Sequence, residues 1–368
     1  MMIGNIDLMT TTIRRGVGRA TRNRATRWLL NGAVLGVLFF LLVLLPAFTL
    51  APVAPGWAPA PLANWAFDAR LAVGRPLTTA SSLIQAVKSE PAVTFHRAGE
   101  RITFESQGLT LVGTLYGAGD SSLTKPGILL LHGSTPQGRK LGMYRILAES
   151  LAERGYVVLA VDQRGFGESD NPPDVSRAES FDYVADVKNG ISYLSSVAEV
   201  DPERLYLIGH SFGGDVAMTA ATEETRIHRL VVIGPGRRFI ERGGTSQAPE
   251  MPYFRRREMR YMWLWQPIPT DVYLQYRTKL SIENHMDYFA EADHVPVLLI
   301  DGELEAQEDI EFLQAAYEAM AGAKAYTTLA DADHYANVAN FGPLIVYDEQ
   351  AIHELVQVID SYLSLEME

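Results

Sequence analysis

Five short apolar runs constrain this chain more than any other feature: GILLLHG at 127–133, YVVLAVD at 156–162, RLYLIGH at 204–210, RLVVIGP at 229–235 and VPVLLIDG at 295–302. Glycine or charge bounds each run, and segments of helical period, such as MYRILAESLAERG and FDYVADVKNGISYLSSV, lie between them. A strand that is apolar on both faces needs cover on both, and alternating helices supply it. The pattern predicts an α/β fold, a doubly wound and mostly parallel sheet. Ahead of it, RITFES at 101–106 and LTLVGTLYG at 109–117 flank a glycine-containing turn and predict an antiparallel hairpin at the sheet edge.

In a sheet of this kind the chemistry gathers at the carboxyl ends of the strands. After RLYLIGH comes Gly209-His210-Ser211-Phe212-Gly213 and then the helical DVAMTAATEE, which is G-x-S-x-G between a strand and a helix. The glycines permit a tight turn that lifts Ser211 above the sheet as a candidate nucleophile. A serine hydroxyl needs a base to take its proton. Of the eight histidines, His334 alone lies between the last strand-like run, AKAYTTLADADH, and the terminal helix, where a loop can hang over Ser211. His353 falls inside that helix, His132 and His210 sit in strand-end turns, and His228, His285 and His294 have no motif around them. The base in turn needs a carboxylate to orient it, and Asp301, Glu303 and Glu305 all follow VPVLLI.

With these motifs in place, the chain from about Arg101 to Leu365 resembles the α/β-hydrolase superfamily, on its serine aminopeptidase-like and esterase-like side. The resemblance implies Glu305 as the triad acid, three positions after the glycine closing its strand. Aspartate is usual there, so the glutamate is a departure that leaves Asp301, and then Glu303, as competitors. The order Ser211, Glu305, His334 is the superfamily's order. His132-Gly133-Ser134-Thr135 resembles its HG loop, which implies an oxyanion hole made by the N–H of Phe212 and that of Ser134 or Thr135. Residues 162–169 resemble its D-x-R-G-x-G-x-S loop, with an architectural role. No cofactor and no metal are implied.

The stretch of about 237–294 is too long for a simple connection and predicts a lid insertion. Within it Tyr253, Phe254, Tyr261, Trp263, Trp265, Tyr273 and Tyr276 interleave with Arg255, Arg256, Arg257 and Arg260, as a helical lid with an apolar inner face would, while a solvated charged helix reads the same way.

Charge divides the chain unevenly. Residues 1–27 hold six arginines against Asp7, a net +5, which leaves −17 of the overall −12 for the rest. No charged residue occurs from Trp28 to Phe67, and residues 28–50 are long enough for a transmembrane helix. A cleaved signal peptide is the alternative, although Pro61 follows the best small-residue triplet, 58–60. The arginines predict a cytoplasmic tail over 1–27 and a catalytic domain on the outer side of a membrane. A Pro/Ala-rich spacer and a short helix, 51–92, would connect the anchor to a hydrolase domain over 93–368. The acidic balance excludes a general nucleic-acid partner, and a chain with no cysteine has no thiolate chemistry. Together these features predict a serine hydrolase, anchored in the membrane, that cleaves a carboxylic ester through an acyl-enzyme. Amide hydrolysis of a peptide on the same triad is the first alternative, and a non-catalytic binding module on a hydrolase scaffold the second. The oligomeric state is not legible.

Overall fold

A computed structural model describes residues 82–88, 91–95, 99–119, 124–135, 137–235, 268–341 and 344–365. The chain divides into two units, Met1–Arg75 and Pro76–Glu368, and every described residue belongs to the second. The expected tail, span and most of the spacer therefore lie outside the described residues. Among the described residues no helix is long and apolar enough to cross a membrane.

The strands are β1 Pro91–Phe95, β2 Glu100–Ser106, β3 Leu109–Tyr116, β4 Lys125–Leu131, β5 Val157–Asp162, β6 Val200–His210, β7 Arg229–Ile233, β8 Val297–Gly302, β9 Lys324–Leu329, β10 Val338–Phe341 and β11 Leu344–Asp348. The helices of ten residues or more are α1 Gly142–Glu153, α2 Tyr183–Ser195, α3 Phe212–Ala221, α4 Thr270–Lys279, α5 Gln307–Ala319 and α6 Glu349–Leu363. Eight strands form the main sheet in the order β2-β3-β5-β4-β6-β7-β8-β9. The hairpin β2–β3 joins β5 antiparallel, and all pairings from β5 to β9 are parallel. This is the expected doubly wound sheet with an antiparallel edge.

Alternation along β4 shows why the apolar runs need two layers. Ile128 and Leu130 enter the core under α1 and α6, while Leu129 and Leu131 enter the core under α2 and α3. All four are essentially inaccessible, and each such side chain contributes about 1.5–3 kcal/mol of hydrophobic burial. Strand order reverses around β4, with β5 on one side and β6 on the other, so the carboxyl ends of β4 and β6 flank the switch point.

Three strands have no counterpart in the apolar runs. A second sheet, in the order β1-β11-β10, follows the loop that carries His334. Pro91, expected at the end of the spacer, opens β1 and pairs with Asp348. This sheet lies close to α1: a Cβ on Gly142 would stand 3.0 Å from Ile345 and 3.1 Å from Asn340. Asp348 then caps α6, its side chain accepting from the N–H groups of Gln350 and Ala351.

Candidate active site

The turn that carries Ser211, the candidate nucleophile, is built from close backbone approach. A Cβ on Gly213 would stand 2.6 Å from the carbonyl oxygens of both Leu131 and His132, and one on Gly209 would collide with the backbone of Gly213. Only glycine fits at either position. Between them Ser211 has φ 54° and ψ −123°, a conformation that costs a residue with a side chain about 1–3 kcal/mol. The surroundings hold it there: Ser211 donates its N–H to the Ile233 carbonyl at 2.8 Å, and its own carbonyl accepts from Gly214 at 2.8 Å. Phe212 opens α3, so its N–H belongs to the first turn, where backbone donors have no partner inside the helix.

The HG loop meets this turn from β4. Gly133 lies so near Ser211 that a Cβ there would be 2.9 Å from the serine Cβ. Of the two oxyanion donors expected on this loop, Thr135 is already engaged, donating its N–H to Gly133 at 2.7 Å. Ser134 is exposed on the same loop.

Glu305 and His334 are brought together. Glu305 Oε2 lies 2.9 Å from His334 Nδ1, with Glu305 mostly buried and the imidazole one-third exposed. The Glu305 loop folds back on itself, since its N–H donates to the Gly302 carbonyl at 3.0 Å and its Oε1 accepts from the Gly302 N–H at 3.2 Å. Two further bonds stitch it to the histidine loop, Glu303 N–H to Leu329 and Leu304 N–H to Ala332, each at 3.0 Å. Asp333 rigidifies that loop by accepting from the N–H groups of Tyr335 and Asn337 at 2.9 and 2.8 Å. Ser82, ahead of β1, donates to the same carboxylate at 2.6 Å.

The competing acids point elsewhere. Asp301 is buried and takes the Tyr326 hydroxyl as a hydrogen-bond donor, away from His334, and burial raises its carboxyl pKa. Glu303 is exposed and accepts from the Asp331 N–H at 3.0 Å. Among the other histidines, His353 is exposed on α6, while His228, His285 and His294 bond to the backbone of Leu205, Lys279 and Val295. His132 is buried, and burial lowers its pKa. The Gln163 N–H donates to its Nε2, so Nδ1 carries the hydrogen that meets the Gly133 carbonyl.

The loop at 162–169 is architectural. Asp162 accepts from the backbone N–H groups of Arg139 and Glu168, each at 2.8 Å, and pairs with the Arg139 guanidinium. Arg164 pairs with buried Asp186 at 2.6 Å.

Residues 237–267 of the expected lid, with Tyr253, Phe254, Tyr261, Trp263, Trp265 and Arg255, Arg256, Arg257 and Arg260, lie outside the described residues. The two aromatic members that are described, Tyr273 and Tyr276 on α4, are buried, and Tyr276 stacks on Phe181 at 4.4 Å. Arg277 lies 4.6 Å above the Phe212 ring and reaches Asp215 at 3.3 Å, so α4 rests on the start of α3. Among the described residues no cluster of side chains fit to hold a metal ion occurs.

Sequence reasoning missed two groups here. Gly234, at φ +47°, packs against Glu305 and His334 from the end of β7: a Cβ there would stand 2.9 Å from Glu305 Oε1 and 3.1 Å from His334 Nδ1. Its signal was the Gly-Pro pair ending RLVVIGP. His210 reaches the His334 carbonyl with Nε2 at 2.7 Å, a contact that no motif announces.

Comparison with known structures decides the fold. Est1E from Butyrivibrio proteoclasticus with ferulic acid bound superposes with a TM-score of 0.51 at 18% identity, covering 71% of this chain and 97% of that one. A soluble variant of monoglyceride lipase from Saccharomyces cerevisiae gives 0.52 at 16%, covering 73% and 96%. The chain has the α/β-hydrolase fold. Residues 124–251 match the family described as serine aminopeptidase, S33. That stretch contains the HG loop and Ser211, whereas Glu305 and His334 lie beyond it. A 2-hydroxy-6-oxononadienedioate/2-hydroxy-6-oxononatrienedioate hydrolase from Cupriavidus pinatubonensis is 32% identical over 126 residues, 34% of this chain and 39% of that protein. The matched stretches span less than half the length of such curated relatives. The family match and the hydrolase relatives support a serine hydrolase.

Proposed function

We propose that the protein hydrolyses a carboxylic ester through an acyl-enzyme, with Ser211 as nucleophile, His334 as base and Glu305 as the acid that orients it. The observation that carries this reading is the Glu305–His334 contact at 2.9 Å, in a loop bonded to the residue preceding a strained Ser211. His334 Nε2 takes the Ser211 proton as Oγ bonds to the carbonyl carbon, and the carbonyl π pair moves onto oxygen. The N–H groups of Phe212 and Ser134 meet that oxyanion. As it collapses, the C–O bond to the leaving alcohol breaks and His334 returns the proton to the alcohol. Water then repeats the sequence on the acyl-serine, and the acid and free Ser211 are released.

The S33 match favours a second reading, amide hydrolysis on the same groups. Both substrates pass through the same oxyanion, so rates must separate them. The full chain in detergent should cleave p-nitrophenyl butyrate faster than an aminoacyl p-nitroanilide, and Ser211→Ala should remove both activities. Faster anilide cleavage would favour the peptidase, and undiminished turnover by Ser211→Ala would refute the triad. We infer further that residues 28–50 anchor the chain with its hydrolase domain outside, a reading supported by 40 consecutive uncharged residues behind six arginines. Reporter fusions at the C-terminus test it, and a reporter active only in the cytoplasm would contradict it.

A further inference from the structure

We propose that Tyr144 and His210 are positioning residues: they form a one-directional hydrogen-bond relay that ties the oxyanion loop, the nucleophile turn and the loop of the catalytic base into one unit. The proposal rests on the hydrolase reading and assigns its geometry to residues outside the triad.

The relay runs through three contacts. Gly133 donates its N–H to the Tyr144 hydroxyl oxygen at 2.7 Å. That hydroxyl lies 2.8 Å from His210 Nδ1. His210 Nε2 lies 2.7 Å from the His334 carbonyl oxygen. A carbonyl only accepts, so Nε2 carries the imidazole hydrogen. Burial lowers the His210 pKa well below its usual value, with His334 nearby adding to the effect, so the ring is neutral and its Nδ1 is a bare acceptor. The Tyr144 hydroxyl therefore donates to Nδ1 and accepts from Gly133. Burial also holds the phenol pKa far up, so its proton stays in place. Every hydrogen points the same way, from the HG loop to the histidine loop, and all three side-chain polar atoms of the relay are used.

Both side chains are sealed from solvent, at 1% and 0% exposure, so a member removed is not replaced by bulk water. Each end fixes something specific. Binding the Gly133 N–H fixes the His132–Gly133 peptide, directly before the one that carries the Ser134 N–H, and leaves that next N–H for the oxyanion. Binding the His334 carbonyl pins the backbone of the base to the residue directly before Ser211. The rings add contact: His210 and His334 lie 4.6 Å apart, and Tyr144 and His210 5.6 Å apart. Tyr144 itself projects from α1, which also borders the small sheet following the histidine loop.

The test uses the full chain in detergent, with kcat and KM for p-nitrophenyl butyrate and the rate at which a fluorophosphonate modifies Ser211. Tyr144→Phe should lower kcat and the modification rate about 10- to 100-fold, with KM changed less than about threefold, because it misplaces groups without touching substrate binding. His210→Gln offers one amide oxygen to accept from Tyr144 and one N–H to donate to His334, and should stay within about fivefold of the parent. His210→Leu offers neither and should fall with Tyr144→Phe. If Tyr144→Phe fails to fold, the His210→Gln and His210→Leu pair decides alone. Parental kcat in folded Tyr144→Phe, a loss confined to KM, or His210→Gln no better than His210→Leu would each overturn the relay. A parent chain that the phosphonate does not modify at Ser211 would instead overturn the hydrolase reading, and the relay's catalytic purpose with it.

Discussion

Gly234→Ala is the sharpest perturbation available, because it adds one methyl group against the acid–base pair and removes no group with a chemical role. The new Cβ would stand 2.9 Å from Glu305 Oε1 and 3.1 Å from both Nδ1 and Cε1 of His334. Ordinary contact distances require these atoms to retreat by about 0.3–0.7 Å, and they lie on either side of a 2.9 Å hydrogen bond. Gly234 cannot move away easily, since its N–H donates to Ile300 in the central sheet at 2.7 Å. The positive φ of +47° adds about 1–2 kcal/mol of strain for any L-residue. Destabilisation should therefore be about 1–2 kcal/mol, a fall in Tm of roughly 2–8 °C for a domain of this size. Displacing an imidazole from its orienting acid should cost kcat about 10²-fold or more. The assay is ester turnover at a temperature where circular dichroism shows the variant folded. The double variant Gly234→Ala/Glu305→Gln should be no slower than Glu305→Gln alone, because both changes break the same contact. A folded Gly234→Ala with kcat within about threefold of the parent would refute the packing argument, and additive losses in the double variant would refute the shared cause.

Glu305→Gln should lower kcat by about 10³–10⁴-fold, while Asp301→Asn should retain activity. Because burial raises the Asp301 carboxyl above its unfolded value, ionised Asp301 costs stability at neutral pH. Asp301→Asn should therefore hold or raise Tm near pH 7, with the difference shrinking as pH falls, and a lowered Tm at pH 7 would contradict it. Ser211→Gly should abolish turnover yet stabilise the fold by about 1 kcal/mol in thermal denaturation, since glycine relieves the strain at φ 54°. Hydrogen bonding to Arg139, aided by Lys140, holds the Glu168 carboxyl down at about 2 against an ordinary 4.5. Its stabilising contribution is full above about pH 4.5 and disappears as pH falls toward 2, so Glu168→Gln should flatten the acid limb of the stability curve over that window.

The parts of this fold that announce themselves in sequence are those governed by local pattern. The runs ILLL, VVLAV and VLLI read as buried strands because both of their faces meet a core, and the Ser211 turn reads because close backbone approach admits only glycine at 209 and 213. The sheet of β1, β10 and β11 was illegible for the opposite reason. Its strands have four or five residues, and β1 pairs with a partner some 250 positions away, so no window contains the signal. Glu305 was separable from Asp301 only in three dimensions: strand alternation sends Asp301 toward Tyr326 on β9, while the turn after Gly302 brings Glu305 back to His334. His210 occupies the variable position of G-x-S-x-G, and Tyr144 lies inside an amphipathic helix where any buried aromatic fits the pattern. Neither residue type carried information until the distances did.

The central claim is that Ser211 is a nucleophile activated by His334, and covalent labelling measures it directly. Mass spectrometry of the full chain treated with a fluorophosphonate should find one adduct per molecule, on the peptide containing Ser211. Labelling should be lost in Ser211→Ala and slowed by orders of magnitude in folded His334→Ala. An adduct at another residue, or a rate unchanged when His334 is removed, would contradict the claim.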